Sequence, residues 1–191
     1  MKNKQYYHTA ESVQEYIHLA KDVNGEKLIH ELKKVLPEGS SLLELGSGPG
    51  TDYNILNKPY EVVGSDFSLE FIKHLKSTYP EGEFLHLNAS TLESTLTFDG
   101  IYSNKVLHHL SDEALTSSIQ RQHKVLNTEG IICHSFWNGT GDETFKGMYV
   151  NYHNEAELKS LFEPFFELTF IKPYQEFEKD DSLLLVGQKK A

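Results

Sequence analysis

The sequence predicts an α/β protein with a mostly parallel sheet, helices on both faces and a C-terminal antiparallel strand pair. Three observations carry that expectation. Short apolar runs alternate with helical stretches from residue 41 to residue 137, the pattern of a parallel sheet whose crossovers are helices. A glycine-rich segment, 46-GSGPG-50, follows the first run directly. In the tail, strand-like runs at 166–176 and 182–188 are separated only by a polar turn, 178-EKDD-181, and strands joined so directly should pair antiparallel.

Taken in order, residues 10–36 read as one or two helices. Val13, Ile17 and Ala20 recur at helical spacing, as do Leu28, Leu32, Val35 and Leu36, with Gly25 as a break between them. Pro37-Glu38-Gly39 is a stop and a turn. The strands expected next are 41-SLLEL-45, 60-YEVVGSD-66, 83-EFLHLN-88, 99-DGIYSN-104 and 130-GIICHSFW-137. Helices are expected at 50–56, 69–78, 112–126 and 154–162. Ser68 and Ser111 are candidate N-caps, and Asn154 with Glu157 forms a candidate capping box. Residues 138–153 read as a long polar and aromatic loop, of the kind that is functional or mobile in a compact domain.

Composition narrows the function. The 191 residues suit a single domain, 1–191, with an N-terminal helical segment (1–39) and an α/β core (40–191). Eighteen basic residues against 28 acidic ones give a net charge of −10, which argues against broad nucleic-acid binding. Cys133 is the only cysteine. It excludes an intrachain disulfide and a four-cysteine zinc site, fits a reducing cytoplasm, and reads as a buried packing group. No apolar run approaches a membrane span, and the first 16 residues lack the apolar core of a secretory signal. The ten histidines do not form metal-ligand spacings, so no metal site is expected.

The glycine segment lies at the carboxyl end of the first strand, where open parallel sheets bind ligands. Glycine lets a ligand come against bare main chain. Asp66 ends the second strand twenty positions beyond Gly46. A carboxylate there can accept both hydroxyls of a ribose, or cap the following helix in competition with Ser68. Glu44 stands one residue before the end of the first strand. An acid in that place would repel a pyrophosphate but suits an ammonium group. The ligand favoured is a nucleoside that carries an amine.

That description fits S-adenosylmethionine, and the sequence resembles the class I S-adenosylmethionine-dependent methyltransferases of the small single-domain type. The likeness spans about residues 40–190 and rests on 42-LLELGSGPG-50, 62-VVGSDFS-68, 99-DGIYSNKVLHHL-110 and 125-VLNTEGIICHSFW-137. It implies a Rossmann-like, seven-stranded class I methyltransferase fold. It also implies that Gly46, Ser47 and Gly48 line the methionine part of the cofactor, with Glu44 at its amino group. Asp66 would take the ribose hydroxyls and Phe67 the adenine face. Where the family often has Asp-Ala after the third strand, this chain has Asn88-Ala89, followed by Ser90; an asparagine oxygen can still accept from the adenine amino group, without a charge. Asn104 and Leu107 would lie near the methionine arm. Tyr6, Tyr7 and Tyr16 belong to an N-terminal segment expected to cover the cofactor.

His108 is expected to face the methyl acceptor as a general base, the other reading being that it packs, as His109 is expected to do. Trp137, Tyr149 and Tyr152 are candidates for the acceptor pocket, or else anchor their segments to the core. Phe162, Phe165 and Phe166 read as core. The expected function is methyl transfer to a small-molecule acceptor. Two alternatives remain on the sequence alone: an NAD-dependent oxidoreductase, and a non-catalytic S-adenosylmethionine-binding protein.

Overall fold

The structure, a computed structural model, describes residues 9–20, 23–145 and 147–191; Tyr6 and Tyr7 lie outside them. Two helices, α1 (Ala10–Leu19) and α2 (Glu26–Leu32), precede β1 (Ser41–Leu45), the short α3 (Tyr53–Leu56), β2 (Glu61–Asp66), α4 (Leu69–Thr78) and β3 (Glu83–His86). Then come β4 (Phe98–Asn104), a 3-10 turn (Leu107–His109), α5 (Asp112–Val125) and β5 (Leu126–Trp137). The chain ends with β6 (Asp142–Phe145), β7 (Met148–Asn151), α6 (Glu155–Phe162), β8 (Phe166–Tyr174) and β9 (Ser182–Lys189). Among the described residues no helix is long and apolar enough to cross a membrane.

Seven strands form one sheet in the order β3-β2-β1-β4-β5-β9-β8. The first five are parallel, and β9 pairs antiparallel with both β5 and β8. This is the Rossmann-like fold that the alternation and the spacerless tail predict. Successive residues of the central strands point to opposite faces, as the two-residue period of a strand requires. Leu43, Ile101 and Ile132 enter a core under α5 and α6 with Leu115, Ile119 and Phe162. Leu42, Tyr102 and Cys133 enter a second core under α2, α3 and α4 with Leu28, Leu56 and Leu75. Both faces are covered, so the central strands are apolar nearly throughout.

The caps follow the sequence. The Ser68 hydroxyl accepts from Phe71 N and the Ser111 hydroxyl from Ala114 N. Asn154 and Glu157 close a reciprocal capping box at 3.0 and 2.9 Å. Ser68, not Asp66, is therefore the cap of α4, which leaves the Asp66 carboxylate for other partners.

One expectation is corrected. Residues 138–153 are not a loop throughout, because they contain the β6–β7 hairpin, with Asp142 opposite Asn151 and Phe145 opposite Met148. Gly147 has φ +83°, the left-handed conformation that a tight hairpin turn demands. The hairpin is tied down at its far end, where Asn151 Nδ2 donates to Asp112 Oδ1 at 2.8 Å.

Candidate functional site

Strand order reverses between β1 and β4, with β1 paired to β2 on one side and β4 on the other. Crossovers therefore leave in opposite directions there, opening a crevice at the carboxyl ends of the strands. A cavity of about 920 Å³ occupies that place, bounded by the glycine segment, the tips of β2, β4 and β5, and residues of α1 and the β6–β7 hairpin.

The glycine segment bends over the end of β1 because Gly46 and Gly48 adopt φ of +66° and +49°, which side chains with a Cβ rarely do. At Gly48 an added Cβ would meet nothing nearer than 4.0 Å; the main chain there faces open space. Its N–H donates to Asp66 Oδ2 at 3.0 Å, and Asp66 Oδ1 accepts from Ser68 N at 2.8 Å. Asp66 thus ties the tip of β2 to the glycine bend. Burial pushes its carboxyl up to about 6, against the lowering effect of these N–H donors.

Glu44 is buried on the cavity wall. Ser47 Oγ donates to its Oε2 at 2.6 Å. Loss of hydration pushes its carboxyl up to about 8, and repulsion from Asp52 and Asp66 adds to the effect. Asp52 is a site residue that the sequence reading missed. It accepts from Gly25 N at 2.6 Å, Tyr102 Oη at 2.8 Å and Asn104 Nδ2 at 3.1 Å, joining the start of α2 to the tip of β4. The only available signal was its position two residues after Gly50, an acid just past a run of small residues. Gly25, expected only as a break, permits this contact, since a Cβ there would lie 2.1 Å from Tyr102 Oη and 2.5 Å from Asp52 Oδ2.

Tyr16, Glu44, Gly46, Ser47, Gly48, Asp66, Phe67, Asn88, Ala89, Ser90, Asn104, Trp137 and Tyr149 all line this one cavity. Phe67 is exposed there, near-parallel to the His86 ring at 5.8 Å. Asn88 Oδ1 accepts from Ser90 N at 2.9 Å and Ser90 Oγ at 2.8 Å, so its oxygen is already engaged in a local turn.

Leu107, His108 and Tyr152 do not reach the wall. Leu107 is fully buried in the core under α5. The Tyr152 hydroxyl turns outward and donates to Glu143 Oε1 at 2.5 Å. His108, expected to face the acceptor, is 3% exposed, and its Nδ1 has no hydrogen-bond partner among the described residues. Burial holds it well below the usual imidazole range, helped by the nearby His109 and Lys105. Adjacent residues of a 3-10 turn project in different directions, and it is His109 that lines the cavity. Its Nδ1 lies 2.7 Å from the Tyr149 carbonyl oxygen. A carbonyl only accepts, so Nδ1 carries the proton and Nε2 is the basic nitrogen of the neutral ring. Burial lowers the His109 pKa as well.

Lys105, Glu176 and Phe177 are further wall residues absent from the sequence expectations. Lys105 has φ +53° and is the single cation in 101-IYSNKVLHHL-110 apart from histidine. Its Nζ sits 3.6 Å over the Trp137 ring and donates to Ser182 Oγ at 2.5 Å. Burial lowers its pKa to about 8.

The donor set can be tested against S-adenosylmethionine. The cavity offers bare main chain at Gly48, an acid, Asp66, at the next strand tip, and at Glu44 a buried carboxyl whose hydrogen-bond partner is the neutral Ser47 hydroxyl. An α-ammonium group is what would stabilise its ionised form, whereas a pyrophosphate beside Glu44 and Asp52 would be repelled. The residues fit an adenosyl amino acid and do not fit a dinucleotide.

Comparison with known proteins agrees with this geometry. Residues 42–130 match a family model described as a methyltransferase domain. No curated protein matches the sequence. Among solved structures, a Burkholderia thailandensis 1,6-didemethyltoxoflavin-N1-methyltransferase, with bound 1,6-didemethyltoxoflavin and S-adenosylhomocysteine, superposes with a TM-score of 0.74 at 19% identity over 95% of this chain and 87% of its own. The N-methyltransferase NodS from Bradyrhizobium japonicum, in complex with S-adenosylhomocysteine, gives 0.73 at 15% identity over 95% and 98%. A TehB-like S-adenosylmethionine-dependent methyltransferase from Corynebacterium glutamicum gives 0.73 at 22% over 95% and 98%. Over residues 42–130 the sequence is similar to a methyltransferase domain, and over nearly the whole chain the fold is that of solved S-adenosylmethionine-dependent methyltransferases.

Proposed function

We propose that this protein binds S-adenosylmethionine and transfers its methyl group to a small-molecule acceptor. The observation that carries the reading is the pairing of Glu44 with the open main chain at Gly48 in one cavity. Desolvation and like-charge repulsion favour the protonated carboxyl there, and a bound ammonium would shift it to the ionised form. When bound, S-adenosylmethionine supplies an activated sulfonium methyl, which an aligned nucleophile takes by in-line displacement.

This chain's residues would hold and orient. Glu44, with Asp52 behind it, faces the amino group; Asp66 accepts from the ribose hydroxyls; Phe67 lies against the adenine. Helix α1 contributes Tyr16 to the cavity wall, where it would help to exclude water. Positioning of this kind supplies most of the acceleration in well-oriented reactions, up to about 7–11 kcal/mol. His109, neutral and with Nε2 unprotonated, is the group that would accept a proton from a hydroxyl or amine nucleophile. His108 supports it from beneath, with the two ring centroids 4.0 Å apart. The NAD-dependent reading finds no support in a cavity with acids at both Glu44 and Asp52.

The test is turnover. The protein is incubated with S-adenosylmethionine carrying a labelled methyl group and with fractionated metabolite pools, and S-adenosylhomocysteine is quantified. Acceptor-dependent release of S-adenosylhomocysteine is expected. Tight cofactor binding with no release from any pool would reduce the protein to a cofactor-binding module.

A further inference from the structure

Beyond the glycine segment and the strand-tip acids, the cavity wall carries two aromatic rings that pack on each other. Trp137 closes β5, and Phe177 lies in the connection between β8 and β9; both line the cavity. Their ring centroids are 6.0 Å apart with planes 23° from parallel. Phe177 is 66% exposed, the most exposed of the large apolar side chains described. A phenylalanine so exposed contributes little to the core, yet its main chain is held firmly. The Asp181 carboxylate accepts from Glu176 N at 2.9 Å and from Phe177 N and Glu178 N at 2.8 Å. Asn138, the residue after Trp137, donates from its N to Asp181 O and from its Nδ2 to Asp180 O, both at 2.8 Å. The loop that presents Phe177 is thereby fastened to the strand end that presents Trp137. Lys105 fixes Trp137 in turn, with Nζ over the indole and hydrogen bonds to Ser182 Oγ and Phe136 O.

We propose that Trp137 and Phe177 form an acceptor subsite for a flat aromatic or heteroaromatic ring, and that Glu176 beside them takes an N–H or O–H donor of that ring. The proposal rests on the methyl-transfer reading of the cavity and names the substrate class that it would serve. Two near-parallel rings select a planar π-system over a puckered one of equal size. A carboxylate on the wall favours a donor and repels an anionic substituent. A centroid separation of 6.0 Å is that of two rings packed against each other, so the incoming ring takes the place of Phe177 on the indole and stacks between them as Phe177 turns outward. Phe177 is exposed, while Trp137 is held by Lys105.

Trp137 is the only tryptophan in the chain, so its indole N–H gives one resolvable signal in a ¹⁵N-correlated spectrum. The probes are isoquinolin-1-one and its ring-saturated octahydro lactam, which share size, neutrality and an N–H donor but differ in flatness. Each is titrated with and without S-adenosylhomocysteine. The flat lactam should shift the indole signal saturably and bind about tenfold more tightly than the saturated one. Phe177→Ala should lose about that factor, and Phe177→Tyr should retain it. Equal binding of the two lactams, no shift of the indole signal, or unchanged affinity in Phe177→Ala would overturn the proposal. Calorimetry with S-adenosylhomocysteine on the same samples separates the two claims. Cofactor heat without ring binding defeats the subsite alone, and ring binding without cofactor heat defeats the methyl-transfer reading alone.

Discussion

Glu44 concentrates the chemistry of the site in one side chain. Its pKa, raised from 4.5 to about 8, makes the ionised form a liability in the ligand-free fold. The sign follows from linkage. The folded state holds this proton more tightly than the unfolded one, so the contribution to stability is complete below about pH 4.5 and is lost as pH rises through 8. Glu44→Gln should therefore match the wild type in thermal stability at pH 5 and exceed it at pH 9, without ligand; a difference that does not vary with pH would refute the shift. Binding of an ammonium beside Glu44 should reverse the proton balance. At pH 7 the wild type should release about one proton on taking up S-adenosylhomocysteine, seen as a dependence of the calorimetric heat on the buffer's ionisation enthalpy. Glu44→Gln should bind more weakly and release none. Asp52 acts through others. Asp52→Ala strands the Tyr102 hydroxyl and frees Asn104, so it should lower both stability and cofactor affinity, by about 1–3 kcal/mol in stability.

At the scale of elements, the parallel strands were legible because the central ones, such as β1 and β4, are buried on both faces, which left short apolar runs bounded by turn residues. The spacerless tail was legible for a topological reason, since β8 and β9 have too little chain between them for a parallel crossover. The β6–β7 hairpin was not. Asp142, Glu143 and Thr144 are exposed, and a strand with no buried face leaves no period-2 apolar signal. The histidine pair failed differently. Sequence places His108 and His109 in the right turn but carries no information on which of two neighbours faces in, because the turn follows Lys105 at positive φ and neither strand nor helix periodicity applies. Gly25 shows the same limit, as its reason is a contact with Tyr102, 77 positions away in sequence by subtraction of the residue numbers. Gly25→Ala should cost about 1–3 kcal/mol, read as a lowered unfolding midpoint. An unchanged midpoint would mean that the start of α2 is free to move away from Asp52.

Across the whole molecule, one sheet does two jobs. Its two buried faces build the cores, and its carboxyl edge gathers residues from β1, β2, β4 and β5 at the point where strand order reverses. The acids of that edge were readable because Glu44 and Asp66 sit at strand ends within an ordered set of motifs. Asp52, Lys105, Glu176 and Phe177 were not, since they reach the cavity from turns whose path the local sequence does not specify. The excess of acid over base in the chain also falls on this cavity, where Glu44, Asp52, Asp66, Asp142 and Glu176 outnumber Lys105, the one lysine of the wall among the described residues. Titration of the folded protein with S-adenosylhomocysteine, beside an Asp66→Ala variant, tests this arrangement most directly. Saturable one-to-one heat in the wild type is predicted, with a loss of about 10- to 100-fold in the variant, the range expected for hydrogen bonds to a charged group. Absence of heat in a wild-type sample that unfolds cooperatively, or equal affinity in the two proteins, would contradict it.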